Sequence, residues 1–160
     1  MIPRTATATA LVGILSLLLA ACTPAPTPTY ASVRTDAEQA VADVVAALPD
    51  GTRFTRSGDV TSTPCESDAG APTGPDGAAF ATVQGAAVLP DAQDAAAVVT
   101  DLPLALGEDW AVEPAGIDTA VATVRLNRAG TGVSVDVTEQ AGDGSATLDI
   151  LAVSPCGQVD

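Results

Sequence analysis

The sequence predicts an α+β domain: a two-layer sandwich in which two helices pack on one face of a mostly antiparallel sheet of about five to six strands. Three observations carry that expectation. Two alanine-rich segments place apolar residues at helical spacing. Each is followed by strand-like runs, and the last third of the chain alternates Val and Leu with polar residues at a spacing of two. The resulting order is helix, two strands, helix, then three or four strands, which suits helices gathered on one side of an antiparallel sheet.

The first helix is signalled by Thr35 as a cap, Glu38 three residues on, and Ala37, Ala40, Val41, Val44, Val45 and Leu48 along one face. Pro49-Asp50-Gly51 ends it. Arg53 to Val60 and Ala78 to Val88 read as a pair of strands, separated by a Gly/Pro/Asp-rich loop from Glu66 to Gly77. A second helix is expected from Asp91 to Asp101, with Ala92, Ala95, Val98, Val99 and Leu102 on one face. Pro103 should end or kink it, because the residue before a proline avoids the α region, leaving Leu104 to Leu106 as a short turn. Trp110 to Glu113 and Thr119 to Arg128 follow as strands, Trp110 directed to the core. Val133, Val135 and Val137, then Ala146, Leu148 and Ile150, mark two more, joined by a Gly142-Asp143-Gly144 hairpin turn.

Ahead of this domain stand Arg4, an apolar stretch from Ala10 to Leu19, and the small residues Ala20 and Ala21. This is the layout of a secretory signal over residues 1–21. Its apolar stretch has about ten residues, half of the roughly 20 that span a bilayer as a permanent helix. Leu19-Ala20-Ala21-Cys22 resembles the lipobox of bacterial lipoproteins. The resemblance implies a diacylglyceryl group on Cys22, two or three acyl chains in all, and hence stable anchoring to the extracytoplasmic side of the cell membrane. An ordinary signal peptide with Cys22 as a plain thiol is the competing reading. It would leave an exposed free Cys in a secreted protein. Residues 22–34, which include Thr-Pro-Ala-Pro-Thr-Pro-Thr, read as a tether, and residues 35–160 as the single folded domain. Ten such residues in polyproline geometry would reach about 30 Å, with Tyr30 exposed.

Removing residues 1–21 from 160 leaves 139, the size of one domain. The chain carries twenty Asp and Glu against six basic residues, and losing Arg4 takes its formal charge from -14 to about -15. Such a surface repels phosphate backbones, so no nucleic-acid partner is expected, and the link to the membrane is the lipid on Cys22. There is no His and no Lys. Ser-His-Asp, Cys-His, Ser-Lys and Schiff-base chemistry are therefore excluded. A carboxylate pair could still hydrolyse a glycoside. Sugar sites, however, favour stacking aromatics, and only Tyr30, Phe54, Phe80 and Trp110 are present.

With Cys22 lipidated, Cys65 and Cys156 remain as an even pair in an oxidising compartment, which points to a disulfide. They lack a Cys-x-x-Cys arrangement, and no His completes a zinc site. The acidic runs Glu66 to Asp76 and Glu108-Asp109 match no EF-hand spacing. No metal, cofactor or catalytic residue is assigned. Arg53, Arg56, Arg125 and Arg128 are expected to partner surface carboxylates.

The lipobox, the Pro/Thr tether, the alanine-rich first helix and the late strands ending in Ser154-Pro155-Cys156 together resemble the small lipoproteins of high-GC Gram-positive bacteria, the actinobacterial type. That resemblance implies a location and a two-layer α+β domain, with no catalytic residues to carry over. The expectation is a non-catalytic binding or interaction module of the cell envelope, with an envelope protein or an apolar ligand as partner. A carrier holding a lipid between helices and sheet is the second reading, and a carboxylate-dependent enzyme the third.

Overall fold

The computed structural model describes residues 27–65, 74–90, 93–114, 120–140 and 145–159. The signal segment, the lipobox with Cys22, residues 66–73 of the long loop, Asp91, Thr119 and the Gly142-Asp143-Gly144 turn lie outside the described residues. Among those described, two helices cover one face of an eight-stranded sheet, α1 (Tyr30–Ala47) and α2 (Ala95–Leu106). This is the two-layer α+β sandwich the sequence predicts. No described helix is long and apolar enough to cross a membrane.

Helix α1 starts earlier than its capping-box signal suggests. Thr29 is the N-cap, and its hydroxyl accepts from the Ser32 backbone N–H at 3.2 Å. Thr35 lies inside the helix and donates to the Ala31 carbonyl at 2.9 Å. Val33 continues the buried stripe of Ala37, Ala40, Val41 and Val44 one turn toward the N-terminus, so the helix gains core contact by starting there. Residues 30–34, expected at the end of the tether, therefore belong to α1, and Tyr30 is half-buried.

The strands are β1 (Arg53–Arg56), β2 (Thr61–Pro64), β3 (Ala78–Val88), β4 (Trp110–Glu113), β5 (Thr123–Arg128), β6 (Ser134–Gln140), β7 (Thr147–Val153) and β8 (Gly157–Gln158). All pair antiparallel, in the order β1-β3-β7-β6-β5-β4. Of the expected Arg53 to Val60 strand only Arg53–Arg56 forms, ended by Ser57-Gly58-Asp59, and β2 lies beyond it, where no strand is expected from the sequence. β1 pairs with the C-terminal half of β3 and β2 with its N-terminal half. With β8 on β3 as well, these short pieces raise the strand number above the expected five to six.

Alternation assigns the sheet faces. Ala81, Val83 and Ala87 of β3, Leu148, Ile150 and Ala152 of β7, Val135 and Val137 of β6, and Leu126 of β5 point to the helices and are at most 1% exposed. Opposite them sit the small residues of α1, and together they form one buried cluster of Ala, Val, Leu and Ile. Gly85 is required here. A Cβ at this position would run into the Phe54 ring and come 2.7 Å from the Thr55 carbonyl.

The start of α1 and the end of the chain are clasped together. Gln158 donates to the Pro28 carbonyl at 2.8 Å, and Thr29 forms a parallel bridge with Gln158. Gly157 leaves no space for a side chain, since a Cβ would lie 2.6 Å from the Thr29 carbonyl oxygen. One residue before it, Cys156 is disulfide-bonded to Cys65 at the end of β2, with a Cα–Cα distance of 6.3 Å. Buried Ser154 precedes the turn into β8. Its hydroxyl accepts from Ala81 N–H and donates to the Pro155 carbonyl, both at 2.8 Å.

Candidate functional site

Helix α2 begins at Ala95, where Asp94 accepts from the backbone N–H groups of Ala96 and Ala97 at 3.0 and 3.4 Å. Pro103, expected to end or kink the helix, does not end it, and α2 runs through to Leu106. Leu102 on one side of the proline is 2% exposed and Leu106 on the other packs against the core. Those two anchors outweigh the one intrahelical bond that a proline cannot donate. Gly107, at φ 79°, then closes the last turn by donating to the Pro103 carbonyl at 3.3 Å.

The composition of α2 is unusual for a surface helix. Asp101 is the single ionisable residue in the twelve-residue stretch AAAVVTDLPLAL. Ala95, Val99 and Leu102 form its buried stripe, yet the opposite side is also apolar, with Leu104 87% exposed. A helix apolar on all sides is normally covered on all sides.

Between that helix and the end of α1 lies an open cleft of about 400 Å³. It exists because α1 stops at Ala47 and the chain turns away through Pro49, leaving one flank of α2 uncovered. Ala47, Pro49, Ala97, Val98, Leu102 and Ala105 form its apolar lining. Gln93, Asp94 and Asp101 supply the polar groups. Asp94, Val98, Asp101 and Ala105 follow one another along a single helix face, at steps of four, three and four.

Four described arginines are committed elsewhere. Arg34 and Arg56 approach Glu38 at 3.8 and 3.2 Å, Arg128 meets Asp43 at 2.7 Å, and Arg125 grips Asp136 with two bonds of 2.6 and 2.8 Å. Arg53 makes no ion pair with a described residue, and no described arginine pairs with Asp94 or Asp101. The Arg125 guanidinium is held above its ordinary pKa, first by the hydrogen bonds to Asp136 and then by that carboxylate's charge.

The uncovered face of the sheet is polar and self-paired. Beside the Arg125–Asp136 pair, Gln84 donates to Asp149 at 3.2 Å, Asn127 donates to Glu113 at 3.1 Å, and the hydroxyls of Thr123 and Thr138 meet at 2.9 Å. These are cross-strand partners on adjacent strands, the pairing that stabilises a solvated sheet face.

Of the residues singled out by sequence, the structure brings Cys65 and Cys156 together, gives Arg56, Arg125 and Arg128 their carboxylates, and half-buries Trp110 against the core. Cys22 lies outside the described residues. The cleft was not anticipated. The signal that could have found it is the near absence of charge across α2. Among the described residues no three Cys, Asp or Glu gather as a metal site requires.

The class of molecule is thus an α+β sandwich with one helix flank open as a cleft. Comparison with known protein families, curated proteins and solved structures finds no match.

Proposed function

We propose that this chain is a lipid-anchored, non-catalytic binding module of the cell envelope, and that the cleft between α1 and α2 is where it binds. The observation that carries the reading is α2, a helix with one charge whose flank is left open over a 400 Å³ cleft. That volume falls within the roughly 300–1,000 Å³ of small-molecule sites. Anchoring rests on the lipobox resemblance at Leu19 to Cys22. With α1 capped at Thr29, no more than six residues, 23–28, separate Cys22 from the folded domain. At about 3.1 Å per residue they reach roughly 19 Å, so the domain works close to the bilayer. A lipid carrier would use the same cleft, whose lining is mostly apolar.

Site-specific photo-crosslinking in the producing cell tests this. A crosslinker at Ala97 should capture a ligand or protein that the same group at Asp59, in the turn between β1 and β2, does not. Absence of any adduct specific to Ala97 would remove the binding reading. Cys22→Ser should move the protein from the membrane fraction to the medium, and retention in the membrane would remove the anchor.

A further inference from the structure

We infer that the cleft takes a cationic amphiphile, a molecule with an apolar body and an ammonium or guanidinium head. This rests on the binding reading above and names its ligand class. The wall offers the body an apolar strip formed by Ala97, Val98, Leu102 and Ala105. The same wall carries two carboxylates, Asp94 and Asp101, that no arginine among the described residues neutralises.

The two acids differ in what they have left to offer. One oxygen of Asp94 caps α2 by accepting from Ala96 and Ala97. Asp101 lines the cleft and makes no hydrogen bond or ion pair with any described residue, so both of its oxygens are uncommitted among the described residues. An anionic amphiphile, such as a fatty acid, would bring its charge beside two like charges in a chain of formal charge -14. A neutral one would press apolar atoms against Asp101 and strip its water without replacing the lost hydrogen bonds. A cationic head replaces them with charge-assisted bonds, so complementarity selects the cation.

The test uses the exported chain carrying Cys22→Ser, so that no acyl chain or detergent competes. It follows backbone amide shifts by NMR during titration with hexyltrimethylammonium, hexanesulfonate and hexyl glucoside. The cation should shift the amides of Ala97, Val98 and Ala105 and saturate at one per chain, while the sulfonate leaves them unmoved. Asp101→Asn should weaken the cation about tenfold, and Asp59→Asn, which removes the same charge outside the cleft, should change it less than twofold. If glucoside and cation bind alike and Asp101→Asn changes nothing, the ligand class is wrong while the binding module stands. If Asp59→Asn weakens the cation as much as Asp101→Asn, only net charge is at work and the inference falls. If no probe shifts the cleft amides, the inference also falls, and the Ala97 crosslink separately decides whether the cleft binds anything else.

Discussion

Helices α1 and α2 rest on the same face of the same sheet, yet their outer sides differ in kind. Toward solvent α1 carries Arg34, Asp36, Glu38, Gln39 and Asp43, and two of these, Glu38 and Asp43, form ion pairs with Arg34, Arg56 and Arg128. Its first turn is clasped by β8, one residue beyond a disulfide-bonded Cys. On the other helix the outer positions are Ala97, Thr100, Asp101, Leu104 and Ala105, and the cap at Asp94 is its own N-terminal fastening. Burial explains the inner stripe of both. The difference is one of charge: the outer side of α1 is ion-paired with the rest of the domain, whereas that of α2 carries a single ionisable residue.

The largest effect should come from removing the fastening of α1. The disulfide closes a loop of sequence separation 91, for which chain entropy allows about 4–5 kcal/mol, a ceiling that measured disulfides often miss. Replacing Cys65 and Cys156 together by Ser should lower denaturant stability by several kcal/mol and accelerate amide exchange at residues 30–33 before residues 96–102. Equal acceleration in both helices would show that the clasp is not specific to α1. Next in size is Leu102→Ala on the buried side of α2, expected to cost about 2–4 kcal/mol, against Leu104→Ala on its outer side, expected within about 0.5 kcal/mol. If Leu104→Ala matches Leu102→Ala in chemical denaturation, the outer side is covered within the molecule and the contrast dissolves.

The sequence made the architecture legible because period and punctuation agree in most elements. The alternation of Val133 to Val137 and of Ala146 to Ile150 became β6 and β7 facing the helices, and helical spacing found both helices. Misplaced boundaries have physical causes. Thr29 was hidden in a Pro/Thr-rich run, where composition speaks for a tether and only the burial of Val33 reveals a first turn. Pro103 stops a helix in local terms, but Leu106 reaches the core beyond it and tertiary packing prevails. The first expected strand stops at Arg56, where Ser57-Gly58-Asp59 turn the chain, and β2 was missed because Thr61-Ser62-Thr63-Pro64 carries no apolar alternation and is held only by pairing with β3. The cleft was least legible, because it depends on where α1 ends relative to α2, a relation that no local pattern encodes.

Capping offers a smaller and sharper test. Thr29→Ala and Asp94→Ala should each cost about 1 kcal/mol, since each removes the oxygen that satisfies a first-turn N–H. Asp94→Asn should retain most of the cap while deleting the charge from the cleft, so that any loss of ligand affinity is separated from loss of helix.

The smallest expected effects belong to the ion pairs that distinguish the outer side of α1. Arg128 and Asp43 are 23% and 30% exposed, which places their coupling near the upper end of the ~0–1 kcal/mol found for exposed pairs. A double-mutant cycle on Asp43→Ala and Arg128→Ala should measure it, and raising the salt should shrink it. Arg125 has its pKa raised by Asp136, so its contribution is fully present below the ordinary guanidinium pKa and is lost only as the pH climbs through the still higher folded value. Between pH 6 and pH 9 the thermal stabilities of wild type and Arg125→Gln should therefore run parallel. A gap that closes within that range would mean that the Arg125–Asp136 pair is controlled by another titrating group, and that the open sheet face is less self-contained than its cross-strand pairs imply.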